Sequence, residues 1–272
     1  MTQPATALRP LPELLETLRA KGVRQGVGPM VGESPSRTAR RAIPTGHASL
    51  DGALRTGGWP RGALAMLDAP RGNGATSLAI GSLAAAQADG GIVAWIDAAG
   101  SFDPATAARL GVRLEWLLVV QPAAPAEALE IAGWLARSRL VDAITLDLQE
   151  QSATATALDR LASLLVRSGS VALLLAGEQL RATAGKAASV RVALEREAWL
   201  AVGNDLVGQR VAATVTRHRW ALSGGRASLD LWFGEGRRID PLLPSLAVPR
   251  LEAPAVEPGD REERPALRVL SA

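Results

Sequence analysis

Residues 63–77 read ALAMLDAPRGNGATS, and this stretch decides the fold. It begins with a short apolar run, Ala63–Leu67, which has the length and composition of a buried β-strand. The run passes into a loop that contains Gly72 and Gly74, and an alanine- and leucine-rich segment, Thr76–Ala88, follows with the composition of a helix. Strand, glycine loop and helix in this order predict the first unit of an α/β sheet.

The same alternation continues along the chain. Four further apolar runs are predicted strands: Ile92–Asp97, Leu117–Gln121, Ala143–Leu148 and Val171–Ala176. Three further helices are predicted between them: Pro104–Leu110, Pro125–Ser138 and Ala153–Arg167. Such βαβ units predict a mostly parallel central sheet with helices on both faces. Three later runs separated only by turns predict antiparallel strands that extend this sheet: Val190–Val202, Gln209–Trp220 and Ala227–Phe233.

The chain divides into three regions. Residues 1–42 combine an amphipathic helix over residues 10–21 with a basic linker rich in Gly, Ser and Pro. The apolar positions of that helix are Leu11, Leu14, Leu15 and Leu18. Residues 43–243 form the core domain, and residues 244–272 are predicted to be a Pro-rich disordered tail.

Composition excludes several classes of protein. The 272 residues contain no cysteine and two histidines, so disulfide scaffolds, cysteine nucleophiles and histidine-rich metal centres are excluded. No apolar run can span a bilayer and no signal peptide is recognisable, which predicts a soluble, cytoplasmic protein with no membrane partner. The net charge is only +3, although residues 1–41 carry seven basic side chains against three glutamates. That arm is either a solvated surface segment or a contact for phosphate.

The loop after the first strand lies where nucleotide-binding βα units bind phosphate. The pattern for such a loop is G-x-x-x-x-G-K-[ST], in which the lysine neutralises the outer phosphates and the hydroxyl binds magnesium. Gly74 and Thr76 fit this pattern, but Ala69 replaces the first glycine and Ala75 replaces the lysine. A methyl group cannot supply the missing charge. The sequence therefore predicts a vestigial nucleotide site formed by Pro70, Arg71, Gly72, Gly74, Thr76 and Ser77.

Ordered motifs around this loop resemble the RecA recombinase family. The resemblance begins with the lead-in Ile43–Asp51, the turn Gly57–Gly62 and the loop itself. It continues through Trp95–Ala98, Asp103-Pro104, Leu110–Val112, Leu117–Pro122 and Ala128–Ile131, and it extends in weaker form to about Gly234. It implies a RecA-like core with sites for ATP and magnesium.

The resemblance also assigns expected roles to individual residues. Asp147 matches the Walker B aspartate, and Gln179 matches the glutamine that senses the γ-phosphate. Arg217 and Arg219 match basic residues that reach the nucleotide of a neighbouring subunit. Ala99 stands where the family has the glutamate that polarises the attacking water. Because Ala75 and Ala99 replace the lysine and the glutamate, the sequence predicts an inactive ATPase homologue that is not an enzyme. It also predicts no cofactor, with Mg-ATP as the alternative.

The two expected DNA-binding loops are short. Neither residues 149–152 nor residues 182–189 combine aromatic with basic side chains, the makeup that grips single-stranded DNA, although weak DNA binding stays open. The predicted function is a non-catalytic accessory role in bacterial DNA repair and SOS mutagenesis (translesion synthesis). It resembles the ImuA-type proteins of mutasomes, which assist an error-prone polymerase through protein contacts. The predicted contact residues are Leu11, Leu14, Leu15, Leu18, Arg217 and Arg219.

Two alternatives remain open at this point. One is a regulator that binds RecA and modulates its filament. The other is a RecA-type, DNA-dependent ATPase with a non-standard phosphate loop, whose missing charge comes from Arg71 or from Arg217 and Arg219 of a second subunit.

Overall fold

The structure is a computed structural model, and it describes residues 41–148, 153–202, 205–233 and 267–271. The predicted helix over residues 10–21, with Leu11, Leu14, Leu15 and Leu18, lies outside the described residues, as does the short loop 149–152.

The described residues alternate between strands and helices in the predicted order. The strands are β1 (Ala42–Ile43), β2 (Trp59–Pro60), β3 (Leu64–Asp68), β4 (Val93–Asp97), β5 (Leu117–Val120), β6 (Ala143–Leu148), β7 (Val171–Ala176), β8 (Val190–Val202), β9 (Asp205–His218), β10 (Arg226–Trp232) and β11 (Leu267–Ser271). The helices are α1 (Ala48–Leu54), α2 (Ala75–Ala88), α3 (Pro104–Arg109), α4 (Pro125–Ser138), α5 (Ala155–Ser168) and α6 (Glu178–Ala187), with one 3-10 turn at Leu114–Trp116.

Within the described residues, nine strands form one sheet in the order β10–β9–β8–β3–β7–β6–β4–β5, and β11 pairs with β8. The pairs among β3, β4, β5, β6 and β7 are parallel, as is the pair of β3 with β8. The strands β9, β10 and β11 join this sheet through antiparallel pairs. The predicted α/β class, with a mostly parallel sheet extended by antiparallel strands, is confirmed.

Helices cover both faces of the sheet because its strands are apolar on both sides. Along β3, Ala65 and Leu67 pack into one core cluster with the helices α1, α2 and α3. Leu64 and Met66 point to the other face and pack with α4, α5 and α6. Each leucine buried in this way stabilises the fold by about 1.5–3 kcal/mol. None of the described helices has the length and apolar character that a membrane crossing requires.

The antiparallel strands extend beyond the end of the parallel sheet. β8 is 13 residues long, but its pairing with β3 ends where Ala193 lies opposite Asp68. The remainder of β8, paired with β9 and through it with β10, continues past the carboxyl end of β3. We call this part, residues 194–202, 205–211 and 229–233, the overhang. It places residues from late in the chain beside the loop that follows β3.

Two predictions for the later part of the chain are corrected. Residues 267–271 lie in the tail that was predicted to be disordered, but they form β11 on the edge of β8 that β3 leaves free. The apolar run in these residues pairs with β8 despite the Pro- and Glu-rich composition before it. The stretch 182–189, expected to be the remnant of a DNA loop, continues the helix α6 as far as Ala187.

Candidate phosphate-binding site

The loop between β3 and α2 adopts a tight turn at the carboxyl end of the sheet. The amide of Asn73 donates a hydrogen bond to the carbonyl of Pro70 at 3.2 Å, which closes the turn. Gly72 and Gly74 have φ angles of +81° and +87°, a region that glycine occupies with little strain. The carbonyl of Gly74 then accepts from the amide of Leu78 at 2.9 Å, which starts α2.

A cavity of about 190 Å³ lies against this loop. The predicted loop residues that line it are Pro70, Arg71, Gly72, Gly74, Thr76 and Ser77. The end of β7 contributes Leu175 and Ala176, and the overhang contributes Gln209 and Phe233. The structure therefore brings the predicted loop residues together around one cavity.

The cavity favours anions through the backbone of α2. The first N–H groups of a helix have no partner within the helix, and the helix dipole adds positive potential at that end. Ala75 contributes no charge to the cavity. Its methyl group packs against the apolar cluster on this face of the sheet. The hydroxyl groups of Thr76 and Ser77 are half-buried at the cavity. The loop thus keeps the shape and hydroxyl groups of a phosphate site without its lysine.

The overhang closes tightly over Gly74. A Cβ atom at Gly74 would collide with the side chain of Leu231 and would lie 3.2 Å from Nε2 of Gln209. Gln209 itself is 2% exposed, and its Oε1 atom accepts no hydrogen bond from the described residues. Sequence reasoning missed Gln209, because only the long-range pairing of β8, β9 and β10 brings it to the loop.

An aromatic side chain borders the same cavity. Phe233 is 44% exposed, and its ring contacts that of Trp199 edge-to-face, with 6.1 Å between the ring centroids. An exposed ring beside a phosphate loop offers a surface on which a planar base can stack.

Two buried carboxylates lie together at the ends of β4 and β6. Asp97 and Asp147 are paired in the parallel register of these strands. Ser101 links them, since its amide donates to Asp97 Oδ1 at 2.9 Å and its hydroxyl donates to Asp147 Oδ2 at 3.0 Å. The amide of Phe102 also donates to Asp97, at 3.2 Å. Ala99 is exposed in the bend between Asp97 and Ser101 and carries no polar side chain.

Asp147 thus lies at the predicted strand end, but it does not line the cavity against the loop. The serine that holds it was not predicted. Its signal in the sequence is a hydroxyl residue placed four positions after a strand-ending aspartate, which is too common a pattern to stand out.

The predicted sensor Gln179 is exposed near the start of α6 and does not line the cavity. Its neighbour Arg181 instead contacts Asp68, the last residue of β3, with Nε 2.6 Å from Oδ1. Arg191 of β8 contacts the other oxygen of the same carboxylate. Two arginines therefore converge on one aspartate at the base of the loop, leaving a net positive charge there.

Arg217 and Arg219 lie toward the amino end of β3, whereas the loop follows its carboxyl end. Arg217 Nη1 donates to the carbonyls of Gly185 and Lys186, at 2.8 and 3.0 Å, and so caps the carboxyl end of α6. Both arginines line a second cavity of about 450 Å³, together with Lys186 and the exposed Trp220. Neither arginine lines the cavity against the phosphate loop of its own chain.

Comparison with known proteins gives one consistent result. Residues 23–157 match the family model of the RecA N-terminal domain. The chain is 34% identical over 242 residues to Protein RecA of Chloroflexus aurantiacus, covering 76% of this chain and 68% of that protein. It is 34% identical over 248 residues to Protein RecA of Thermus thermophilus (78% and 72%), and 32% identical over 277 residues to Protein RecA of Chlorobaculum parvum (89% and 79%).

These matches correct one prediction. The expectation that the chain is not an enzyme rested on Ala75 and Ala99, but the similarity to proteins named RecA extends over most of the chain and contradicts it. The family resemblance implies ATP and magnesium, so the expected absence of a cofactor is not supported either. On its fold, its loop and these matches, the chain belongs to the RecA family.

Proposed function

We propose that the protein acts in bacterial DNA repair as a RecA-type nucleotide-binding protein, a DNA-dependent ATPase with a non-standard phosphate loop. The observation that carries this proposal is the cavity against residues 69–77, which keeps two left-handed glycines and the hydroxyl group of Thr76 without the lysine.

The residues present fit Mg-ATP at this cavity. The first amides of α2 and the hydroxyl of Thr76 would hold the phosphates and the magnesium ion, and the ion would neutralise phosphate charge. The ring of Phe233 would stack on the base. The buried Oε1 of Gln209, which accepts no hydrogen bond from the described residues, would accept one from an amino or hydroxyl group of the nucleotide.

The proposal also assigns a role to the carboxylate pair. Asp97 and Asp147 are fixed by Ser101 at the strand ends next to the loop, where RecA-type sites hold the Walker B aspartate. We expect Asp147 to hold a water molecule of the magnesium shell, because carboxylates hydrogen-bond such water readily.

Equilibrium binding of labelled ATP tests this function, measured with magnesium and with or without single-stranded DNA. Thr76→Ala should weaken binding about tenfold or more, because it removes a hydroxyl that would hold the ion. The matched control is Thr156→Ala, an exposed threonine on α5. Absence of binding by the natural protein under both conditions would overturn the proposal, and equal affinities of the two variants would remove Thr76 from it.

A second candidate function is an accessory role in translesion synthesis, in which the protein contacts an error-prone polymerase as a mutasome subunit. It is favoured by the turn between β9 and β10, where Trp220 and Leu222 are 46% and 70% exposed. Tryptophans on surfaces are frequent anchors of protein interfaces. The leucines of residues 10–21 and the pair Arg217 and Arg219 remain predicted contact residues for a polymerase or for RecA.

Size-exclusion chromatography of purified components distinguishes these partners. Co-elution with an error-prone polymerase that is lost on Trp220→Ala would support the accessory role. Co-elution with RecA but not with the polymerase would favour a regulator of the RecA filament. If the protein co-elutes with neither partner, both the accessory role and the regulatory role are contradicted.

A further inference from the structure

An irregularity in β8 brings two side chains onto one face of the overhang. The pairing of β8 with β9 shifts register between Arg196 and Ala198, so Glu197 is an extra residue in β8. Side chains three positions apart on a regular strand point to opposite faces, but one extra residue restores them to the same face. Arg196 and Trp199 consequently lie side by side, with the guanidinium carbon 4.1 Å from the centroid of the tryptophan ring.

The shared face is the one that covers the phosphate loop. Leu194 precedes Arg196 on this face and packs into the same core cluster as α2. A Cβ atom at Gly72 would lie 3.9 Å from Nη1 of Arg196, so the guanidinium lies next to the loop at Gly72. Trp199 in turn contacts Phe233, which lines the cavity. The bulge therefore places a cation beside a loop that has Ala75 at the lysine position.

Arg196 also has unused hydrogen-bonding capacity. Its Nε atom is buried and donates to no acceptor among the described residues. Stacking on Trp199 occupies the flat face of the guanidinium and leaves the N–H groups in its plane available. An in-plane pair of N–H donors matches the geometry of two phosphate oxygens.

Arg71 lies in the loop itself and is exposed, and three further arginines near the loop have carboxylate partners. Arg181 and Arg191 share the carboxylate of Asp68, and Arg210 forms a bidentate pair with Asp230 on β10. Turning Arg210 toward another anion would leave Asp230 without its partner, and turning Arg181 or Arg191 away would weaken the contact that they share with Asp68. Arg196 makes its described contact with a neutral ring, so it can turn to an anion at no such cost.

We propose that Arg196 supplies, from the neighbouring antiparallel strand, the countercharge that the phosphate-loop lysine supplies where it is present. The ligand it recognises is the phosphate chain of a nucleotide bound at residues 69–77. This inference rests on the proposed function, and it adds a binding residue that lies far from the loop in sequence.

Calorimetric titration of Mg-ATP into four proteins tests it: the natural chain, Arg196→Gln, Arg137→Gln and the double variant Arg196→Gln with Ala75→Lys. Arg137 is exposed on α4, so its variant loses the same charge away from the loop. We expect Arg196→Gln to bind about 10- to 100-fold more weakly, because it loses a charged hydrogen bond to phosphate. Arg137→Gln should bind like the natural chain, and Ala75→Lys should restore the affinity of the double variant.

The outcomes separate this inference from the function on which it rests. If the natural chain does not bind Mg-ATP, the proposed function falls and the inference falls with it. If the natural chain binds and Arg196→Gln matches Arg137→Gln, the inference alone is overturned. Thermal melting checks that each variant folds. Should Arg196→Gln not fold, Arg196→Met replaces it, because methionine removes the charge and keeps an apolar contact for Trp199, and an affinity equal to that of the natural chain would overturn the inference.

Discussion

Ala75 stands where a phosphate loop normally carries its lysine, and its methyl group packs against the apolar core beside α2. The backbone around it keeps the conformation that phosphate binding needs, since Gly72 and Gly74 both lie in the left-handed region. The replacement of the lysine by Ala75 therefore changes the charge of the loop and not its backbone conformation. Arg196, whose guanidinium lies beside Gly72, supplies the replacement charge in the proposed site.

Ala75→Lys should raise the affinity for Mg-ATP by about tenfold, because it adds a cation to a loop that already has the required shape. Calorimetry on the variant and the natural chain measures the change. An unchanged affinity would indicate that the loop no longer presents its phosphate-binding face.

Gly74→Ala should destabilise the fold more than Gly90→Ala. Both glycines have φ near +80°, at +87° and +80°, so both variants bear the left-handed strain of about 1–2 kcal/mol. Only at Gly74 would the new Cβ also meet Leu231, and such overpacking costs a further ~1–3 kcal/mol. Urea unfolding midpoints compare the two. Equal losses would mean that the overhang does not press on the loop.

Among the elements, the parallel part of the sheet could be predicted closely from sequence. The bounds of β6, β7, α4 and β8 are those predicted, because long apolar runs end at clear turn or capping residues. The short helix α1 and the helix α6 were not predicted, since neither has a long apolar period. The bulge at Glu197 could not be predicted either: strict alternation puts Arg196 and Trp199 on opposite faces, and only the pairing with β9 reveals the extra residue.

The end of β9 predicts a pH dependence of stability. His218 is 7% exposed, its Nδ1 accepts from the amide of Trp220 at 3.1 Å, and burial lowers its pKa below the ordinary 6.5. The unfolded chain therefore binds a proton more readily than the folded one, so this residue favours unfolding as the pH falls below about 6.5. Between pH 7.5 and 5.5 the natural chain should lose more unfolding free energy than His218→Gln in urea titrations. Equal losses of unfolding free energy in the two proteins would contradict the explanation that burial lowers the pKa of His218.

Across the whole molecule, the phosphate loop lies at the carboxyl end of β3, and the pair Arg217 and Arg219 lies toward its amino end. The resemblance to RecA predicted that these arginines serve the nucleotide of a neighbouring subunit, and neither of them lines the cavity against the loop of its own chain. The candidate site itself was predictable in its local part, residues 69–77, because those residues are contiguous. The residues of the overhang that border the site could not be predicted, because only the long-range pairing of β8, β9 and β10 brings them to the loop: these are Gln209, Phe233 and Arg196.

The most direct test of the central claim is hydrogen–deuterium exchange with and without Mg-ATP. We expect slower exchange in peptides that cover residues 69–78 and in the overhang peptides that contain Arg196 and Gln209, because bound phosphate would engage the amides at the start of α2. Peptides around Arg217 and Arg219 should be unchanged at protein concentrations where the chain is monomeric. Unchanged exchange at residues 69–78 under saturating Mg-ATP, with or without single-stranded DNA, would contradict the claim that this loop binds a nucleotide.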